Sequence, residues 1–197
     1  MHRPKKYVLI LLLTVLGFCG LGVLAMVIPG LTTKAAGSAL DSLMPGNKQM
    51  SKHLWLVPDS IDDGDTLRVT DGSKETEIEL CGTDAPEPYQ PMADTARDHL
   101  RNLVAVGNGA VIVVPIKKNR EGQTLADVFV ADANDNEIHL NSQMIMDGMA
   151  YHYEQESDSC PQPDVLAMAE EIAKEQSVGV WVIPDAQKPW QYRQTNK

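Results

Sequence analysis

Three carboxylates stand at predicted turns that end apolar, strand-like runs. Asp65 lies in the string DGDT, and Asp84 and Glu87 lie in the string CGTDAPE. Carboxylate oxygens held at turns after strands suit a hard divalent cation such as Ca²⁺ or Mg²⁺. Such a cation beside a water molecule can promote hydrolysis of a phosphodiester. The residue types and their placement therefore predict a metal-assisted hydrolytic site.

Each of these motifs also has a simpler structural explanation. Asp63 and Asp65 belong to a residue type that commonly forms turns. The string from Asp84 to Glu87 suits the start of a helix, with a capping residue, a proline and an acidic first turn. Taken alone, each motif leaves both explanations open, and only their combination with other parts of the chain favours a metal site.

The elements that must position these carboxylates follow from the periodicity of apolar residues. Strands are predicted over residues 54–57, 66–70, 75–80, 110–116 and 124–131, and helices over 91–104, 140–149 and 165–177. Five short strands with a helix after the third predict an α+β fold: a closed OB-type barrel with about three helices packed at one side.

The N-terminal segment predicts attachment to a membrane. Residues 7–29 carry no charge and are long enough to cross a bilayer as a helix. Arg3, Lys5 and Lys6 precede this run, which places the N-terminus in the cytoplasm and the rest of the chain outside it. The predicted location is a single-pass protein of a bacterial-type inner or plasma membrane. The alternative is a cleaved signal peptide and a secreted domain.

The chain accordingly divides into four parts. Residues 1–29 are the predicted signal-anchor or transmembrane helix, and residues 30–53, which mix Gly, Ser, Thr, Lys and Pro, are a predicted linker. Residues 54–183 form the predicted folded domain. Residues 184–197 are predicted to be a loosely held C-terminal tail.

The charge limits the possible binding partners, and the cysteine content bears on the cellular compartment. The net charge is −10, with 27 acidic and 17 basic residues, and this balance predicts weak binding of DNA or RNA, because nucleic-acid affinity rests on Lys and Arg. Of the three cysteines, Cys19 lies in the apolar run. Export would place Cys81 and Cys160 in an oxidising compartment, which favours a disulfide between them over two separate buried thiols.

An ordered set of strings resembles the staphylococcal nuclease-like, or thermonuclease, family. The matching strings are DGDTLRV at 63–69, LCGTDAPE at 80–87 with Gln90 following, GQTLADV at 122–128, DGMA at 147–150, AE at 169–170 and GVW at 179–181. The resemblance spans about residues 54–183. It implies an OB-fold barrel that binds one Ca²⁺ ion and hydrolyses DNA and RNA.

The resemblance also implies roles for individual residues. Asp65 and Asp84 correspond to the carboxylate ligands of the cation, and the backbone carbonyl of Ala85 to a further ligand. Glu87 corresponds to the residue that orients the attacking water or acts as a general base. Arg120 stands where the family often has a basic residue near a substrate phosphate.

Two positions depart from the family pattern. Glu79 and Gln123 stand where the family has arginines. A guanidinium stabilises the negative charge that gathers on a phosphoryl group under attack, and loss of one such group costs on the order of 10³–10⁵ in rate by analogy with arginine fingers. The sequence therefore predicts a divergent phosphodiesterase or endonuclease of reduced activity. The alternative is a catalytically inactive module that binds or scaffolds a protein partner or nucleic acid.

Overall fold

The structure, a computed structural model, describes residues 51–196. The predicted membrane segment, residues 7–29, lies outside this range, as does most of the predicted linker. Between residues 51 and 196, no helix is both long and apolar enough to cross a bilayer.

Eight strands and five α-helices make up the described residues. The strands are β1 (Lys52–Leu56), β2 (Thr66–Thr70), β3 (Glu75–Leu80), β4 (Thr83–Asp84), β5 (Ala110–Lys118), β6 (Thr124–Ala131), β7 (Glu137–His139) and β8 (Tyr151–His152). The helices are α1 (Ala93–Val106), α2 (Leu140–Met146), α3 (Glu154–Ser157), α4 (Pro163–Gln176) and α5 (Pro189–Thr195), and a short 3₁₀ helix spans Gly179–Val182.

Five of the strands close into a barrel. Strands β1, β2 and β3 form an antiparallel meander, and β5 pairs antiparallel with both β1 and β6. A parallel pairing of β3 with β6 completes the ring. Strand β7 extends β6 outside the ring, and β4 and β8 form a separate two-stranded sheet.

Alternation of apolar and polar residues explains why these segments form barrel strands. In β2, Leu67 and Val69 are buried while their neighbours are half-buried. In β3, Ile78 and Leu80 repeat the pattern. Side chains that alternate across a strand place every second residue in the barrel interior, where its apolar surface is removed from water.

The helices cover the barrel with narrow apolar stripes. Helix α1 buries Ala96, Leu100 and Val104, which recur at helical spacing. Helix α4 buries Leu166, Ala169 and Ala173 in the same manner. These stripes fix the two longest helices against the core.

One buried polar residue links the helices to the strands. The side chain of Asn141, on α2, donates to the carbonyls of Cys81 (3.1 Å) and Ala126 (3.0 Å) and accepts from the backbone N–H of Val128 (3.0 Å). A buried amide with these three partners is fully compensated for its loss of water. Asn141 thereby holds the end of β3, which leads into the acidic string.

The α+β fold with a five-stranded barrel is confirmed, and the barrel here is mixed, with one parallel pairing. The expectation of a loosely held tail is corrected. Residues 189–195 form α5, and the side chain of Trp190 stacks on Tyr153 with ring centroids 5.2 Å apart. Sequence periodicity missed this helix because it is short, with a single buried residue, Pro189.

Candidate active site

An acidic cavity of about 750 Å³ opens at one end of the barrel. Its lining includes most of the site residues that the sequence predicted, together with one arginine from α5: Asp65, Glu79, Glu87, Arg120, Gln123 and Arg193. The structure therefore brings residues from the turn before β2, from β3, from the segment after β4, from the loop between β5 and β6, and from the C-terminal helix to a single place.

Asp65 is placed by the turn that precedes β2. The carboxylate of Asp63 accepts the backbone N–H groups of Asp65 (3.3 Å) and Thr66 (2.8 Å), so Asp63 acts as a turn former. Gly64, which stands between Asp63 and Asp65, lies against α1 and the segment after β4. A Cβ atom at Gly64 would lie 2.7 Å from Ala96 Cβ and 2.8 Å from Ala85 Cβ. The absence of a side chain at Gly64 is what allows this close approach.

The two acidic strings meet through one short hydrogen bond. Asp65 Oδ2 accepts the backbone N–H of Ala85 at 2.6 Å. This contact places the Asp65 carboxylate beside the residue that follows Asp84. The predicted ligands Asp65, Asp84 and Ala85 are therefore neighbours, although Asp65 is about 20 residues from the other two in the sequence.

Arg193 binds the other two carboxylates. Its Nη1 donates to Asp84 Oδ1 and its Nη2 to Asp84 Oδ2, both at 2.8 Å, and Nη1 also donates to Glu87 Oε1. The Asp84 side chain is only 5% exposed, whereas that of Arg193 is 44% exposed. A planar guanidinium matches the two oxygens of one carboxylate, which makes this the strongest form of ion pair.

Negative charge accumulates around these groups. Burial raises the pKa of Asp65 well above its usual value, and the charges of Asp63 and Asp84 raise it further. Burial also raises the pKa of Asp84, although the bonds from Arg193 oppose the rise. For Arg193, burial lowers the pKa, but the bonds to Asp84 and Glu87 outweigh this and leave it raised. Carboxylates that are desolvated together in this way are stabilised by a nearby positive charge.

The residues that replace the family arginines are held by Asn119. Its side-chain Nδ2 donates to Glu79 Oε2 and to Gln123 Oε1, while Gln123 Nε2 donates to Glu77 Oε1 at 2.6 Å. Burial raises the pKa of Glu79 to about 7, and the charges of Glu156 and Asp84 contribute to the rise. At neutral pH, Glu79 is therefore only partly ionised.

The cysteines and Arg120, the predicted phosphate-binding residue, also have definite places. Cys81 and Cys160 form a disulfide that ties the end of β3 to the loop before α4, with Cα atoms 5.9 Å apart. Glu156 lies beside this disulfide and accepts the backbone N–H of Gly82 at 3.0 Å. Because both sulfurs are in the disulfide, the cluster of Cys81, Glu156 and Cys160 has no free thiolate for a metal. Arg120 is exposed and, within residues 51–196, makes no ion pair.

Two functional residues were absent from the sequence prediction: Arg193 and Asn119. Arg193 is 109 residues from Asp84, and its position in the tail carried no pattern that points to the barrel. Asn119 precedes Arg120 in a polar loop, and nothing in its spacing indicated a bond to β3. Only the folded chain reveals either contact.

The fold and the site together define a protein with a five-stranded mixed barrel, several packed helices and an acidic cavity at one end of the barrel. A family model described as "Staphylococcal nuclease homologue" matches residues 77–182. With this match and the relatives described next, the chain belongs to the staphylococcal nuclease family.

Similar proteins occur in bacteria and plants. The chain is 32% identical over 131 residues to a protein of Escherichia coli O157:H7 named "Uncharacterized endonuclease", with 66% of this chain and 79% of that protein covered. It is 30% identical over 139 residues to the micrococcal nuclease of Shigella flexneri, covering 68% and 78%. It is 26% identical over 125 residues to a staphylococcal-like nuclease of Arabidopsis thaliana, covering 64% and 35%.

Proposed function

We propose that this chain is a Ca²⁺-dependent phosphodiesterase, an endonuclease that hydrolyses DNA or RNA. The observation that carries the proposal is the bond between Asp65 and the backbone N–H of Ala85 at 2.6 Å, which unites the two acidic strings beside one cavity. The names of the bacterial relatives, an endonuclease and a micrococcal nuclease, point to the same reaction.

The donor set fits Ca²⁺. Asp65 and Asp84 would supply carboxylate oxygens and the carbonyl of Ala85 a neutral oxygen, and Ca²⁺ binds oxygen ligands of both kinds. The raised pKa of Asp65, caused by burial and by the charges of Asp63 and Asp84, supports a site that gains stability from a cation. When bound, the ion polarises a phosphate oxygen and neutralises developing charge.

The remaining roles fall to side chains of the cavity. Glu87, which lines the cavity, orients a water molecule for attack on phosphorus and accepts its proton. The exposed guanidinium of Arg120 binds a substrate phosphate as the chain enters the cavity. Replacement of two arginines by Glu79 and Gln123 favours an enzyme slower than a family member that has them.

The acidic composition bears on substrate affinity. A net charge of −10 repels a polyanion, so binding of DNA or RNA is weak and falls further at high salt. We also propose that residues 7–29 anchor the domain on the outer side of a membrane, with secretion after cleavage as the alternative. Resistance of the protein to carbonate extraction from membranes, with a domain open to added protease, tests the anchored form.

A second function has one specific observation in its favour. Both oxygens of Asp84 are bonded to Arg193, so a cation that uses Asp84 must compete with a guanidinium. If Arg193 kept both oxygens of Asp84 and excluded the cation, the chain would be a catalytically inactive module that binds or scaffolds a protein partner or nucleic acid. Metal dependence separates the two functions.

The test uses the full-length chain in detergent with a labelled single-stranded DNA. The proposed nuclease cleaves it with Ca²⁺ and stops when a chelator removes the ion. An inactive module shows no cleavage above that of a matched preparation without the protein, at any Ca²⁺ concentration.

A further inference from the structure

The structure assigns to Arg193 a place in the active site, and we propose that it is the guanidinium that stabilises the phosphoryl group during hydrolysis. The proposal rests on the nuclease function proposed above. It places on the C-terminal helix α5 the task that the family gives to arginines at the positions of Glu79 and Gln123.

Arg193 stands where such a group is needed. It lines the same cavity as Glu79, Gln123 and Glu87. Its charge lowers the pKa of Glu79, so it lies within electrostatic reach of one of the two positions that lost an arginine. Its Nη1 contacts Glu87, the residue proposed to orient the attacking water.

The other arginines of the described residues are engaged elsewhere or lie at the rim. Arg68 pairs with Glu77 at 3.7 Å on the barrel wall. Arg97 and Arg101 lie on α1 and pair with Asp98, at 3.0 and 3.1 Å. Arg120 lines the cavity from an exposed loop and has no contact with Asp84 or Glu87 among the bonds within residues 51–196.

Helix α5 is held firmly enough to position a side chain. Gln90 Nε2 donates to the carbonyl of Gln187 at 2.9 Å, while the Gln90 Oε1 accepts the backbone N–H of Glu87 at 2.8 Å. Lys188 Nζ lies 3.6 Å from the ring centroid of Tyr151 and 4.0 Å from that of Trp181. One glutamine therefore couples the segment that leads into α5 to the turn that carries Glu87.

The contacts of Arg193 suggest how one guanidinium serves two partners. In this arrangement it neutralises Asp84 and Glu87. A cation held by Asp84 would need at least one of the two oxygens that Arg193 bonds in this arrangement. The N–H groups so released face a cavity in which phosphate oxygens are the acceptors that match their geometry. The guanidinium stays charged throughout, because an arginine side chain does not lose its proton in proteins.

Two variants test this role in the full-length chain. At saturating Ca²⁺, Arg193→Gln should cleave single-stranded DNA about 10³-fold or more slowly than the wild type, and Arg193→Lys should recover only part of the rate. Arg97→Gln, which removes an equal charge from α1, is the matched control and should cleave normally. Arg193→Gln should also need less Ca²⁺ for half-maximal thermal stabilisation, because a competing cation is gone.

A binding measurement keeps the role of Arg193 separate from the proposed activity. In a Glu87→Gln background with Ca²⁺, adding Arg193→Gln should weaken binding of a fluorescent single-stranded DNA at least tenfold by anisotropy, whereas adding Arg97→Gln should not. Equal affinity with and without Arg193 overturns the proposal. Cleavage by Arg193→Gln at or above the wild-type rate also overturns the proposal, because α5 would then block the active site instead of contributing to catalysis. Absence of wild-type cleavage would reject the nuclease function. The anisotropy measurement would still decide whether Arg193 binds the phosphates of the nucleic acid.

Discussion

Asp65 and Ala85 are joined by a hydrogen bond of 2.6 Å from the backbone N–H of Ala85 to Asp65 Oδ2. The bond connects the turn before β2 with the segment after β4. It depends on Gly64, which allows the turn before β2 to approach both α1 and the segment after β4. The bond therefore joins two separate acidic strings in one site. The predictions below concern this site and the residues that hold the fold around it.

Ca²⁺ should stabilise the protein through Asp84. At a Ca²⁺ concentration 100 times the dissociation constant, the free energy of unfolding should rise by about 2.7 kcal/mol, because the ion binds only the folded state. Asp84→Asn should remove this gain. Thermal unfolding with and without Ca²⁺ measures both proteins.

Asp132→Asn is the control for this prediction. Asp132 accepts bonds from Asn134 and Asn136 in an exposed turn, away from the cavity. It should keep the full response to Ca²⁺. A wild-type protein that does not respond to Ca²⁺ would reject the cation site.

Ionisation of Glu79 should destabilise the fold. Because burial raises its pKa from 4.5 to about 7, the folded state holds a proton that the unfolded state releases in this range. The free energy of unfolding therefore falls as the pH rises from 4.5 to about 7. Glu79→Gln should match the wild type near pH 4 and exceed it by about 1–2 kcal/mol at pH 8, after a discount for partial solvent access.

Denaturant unfolding of both proteins at the two pH values, without Ca²⁺, measures this difference. Glu75→Gln, at the exposed start of β3, is the matched control and should show no such change with pH. A Glu79→Gln protein whose advantage is the same at pH 4 and pH 8 would contradict the assignment.

The disulfide between Cys81 and Cys160 should contribute strongly to stability. It closes a loop of chain with a sequence separation of 79 residues, and the entropy removed from the unfolded state is worth about 4 kcal/mol. Cys81→Ala with Cys160→Ala should lose roughly this amount in denaturant unfolding. A reductant should destabilise the wild type but not the double variant, and rapid alkylation of the native cysteines without a reductant would argue against the bond.

Asn141 should matter more than an ordinary asparagine. Asn141→Ala leaves the carbonyls of Cys81 and Ala126 and the N–H of Val128 without their partner, in a fully buried position. A loss of about 3 kcal/mol is expected, because buried groups without partners lose their hydration uncompensated. Asn134→Ala, in an exposed turn, should be nearly neutral, and equal effects of the two substitutions would refute the role.

The sequence predicted those parts of the fold that depend on local pattern. Strands β2, β3 and β6 match their predicted bounds because alternating apolar residues and flanking turns define them. Strands β4 and β8 have two residues each and pair across the fold, so no local pattern marks them. The periodicity of apolar residues along the sequence does not predict such long-range pairings.

The same distinction applies to the candidate site. The acidic strings were visible because each is a local motif. The bond between Arg193 and Asp84 joins residues 109 positions apart, and it depends on packing of α5 that only the folded chain provides. The absence of arginines at the positions of Glu79 and Gln123 was correct as a sequence observation, but it did not mean that the cavity lacks a guanidinium beside the carboxylates.

In the proposed mechanism, Glu87 and a Ca²⁺ ion held by Asp65 and Asp84 carry out phosphodiester hydrolysis. The most direct measurement compares cleavage of labelled single-stranded DNA by the wild type, Glu87→Gln and the exposed control Glu137→Gln, each with saturating Ca²⁺. We predict a loss of about 10²–10⁴-fold for Glu87→Gln and none for Glu137→Gln. Cleavage by Glu87→Gln at the wild-type rate would contradict the account.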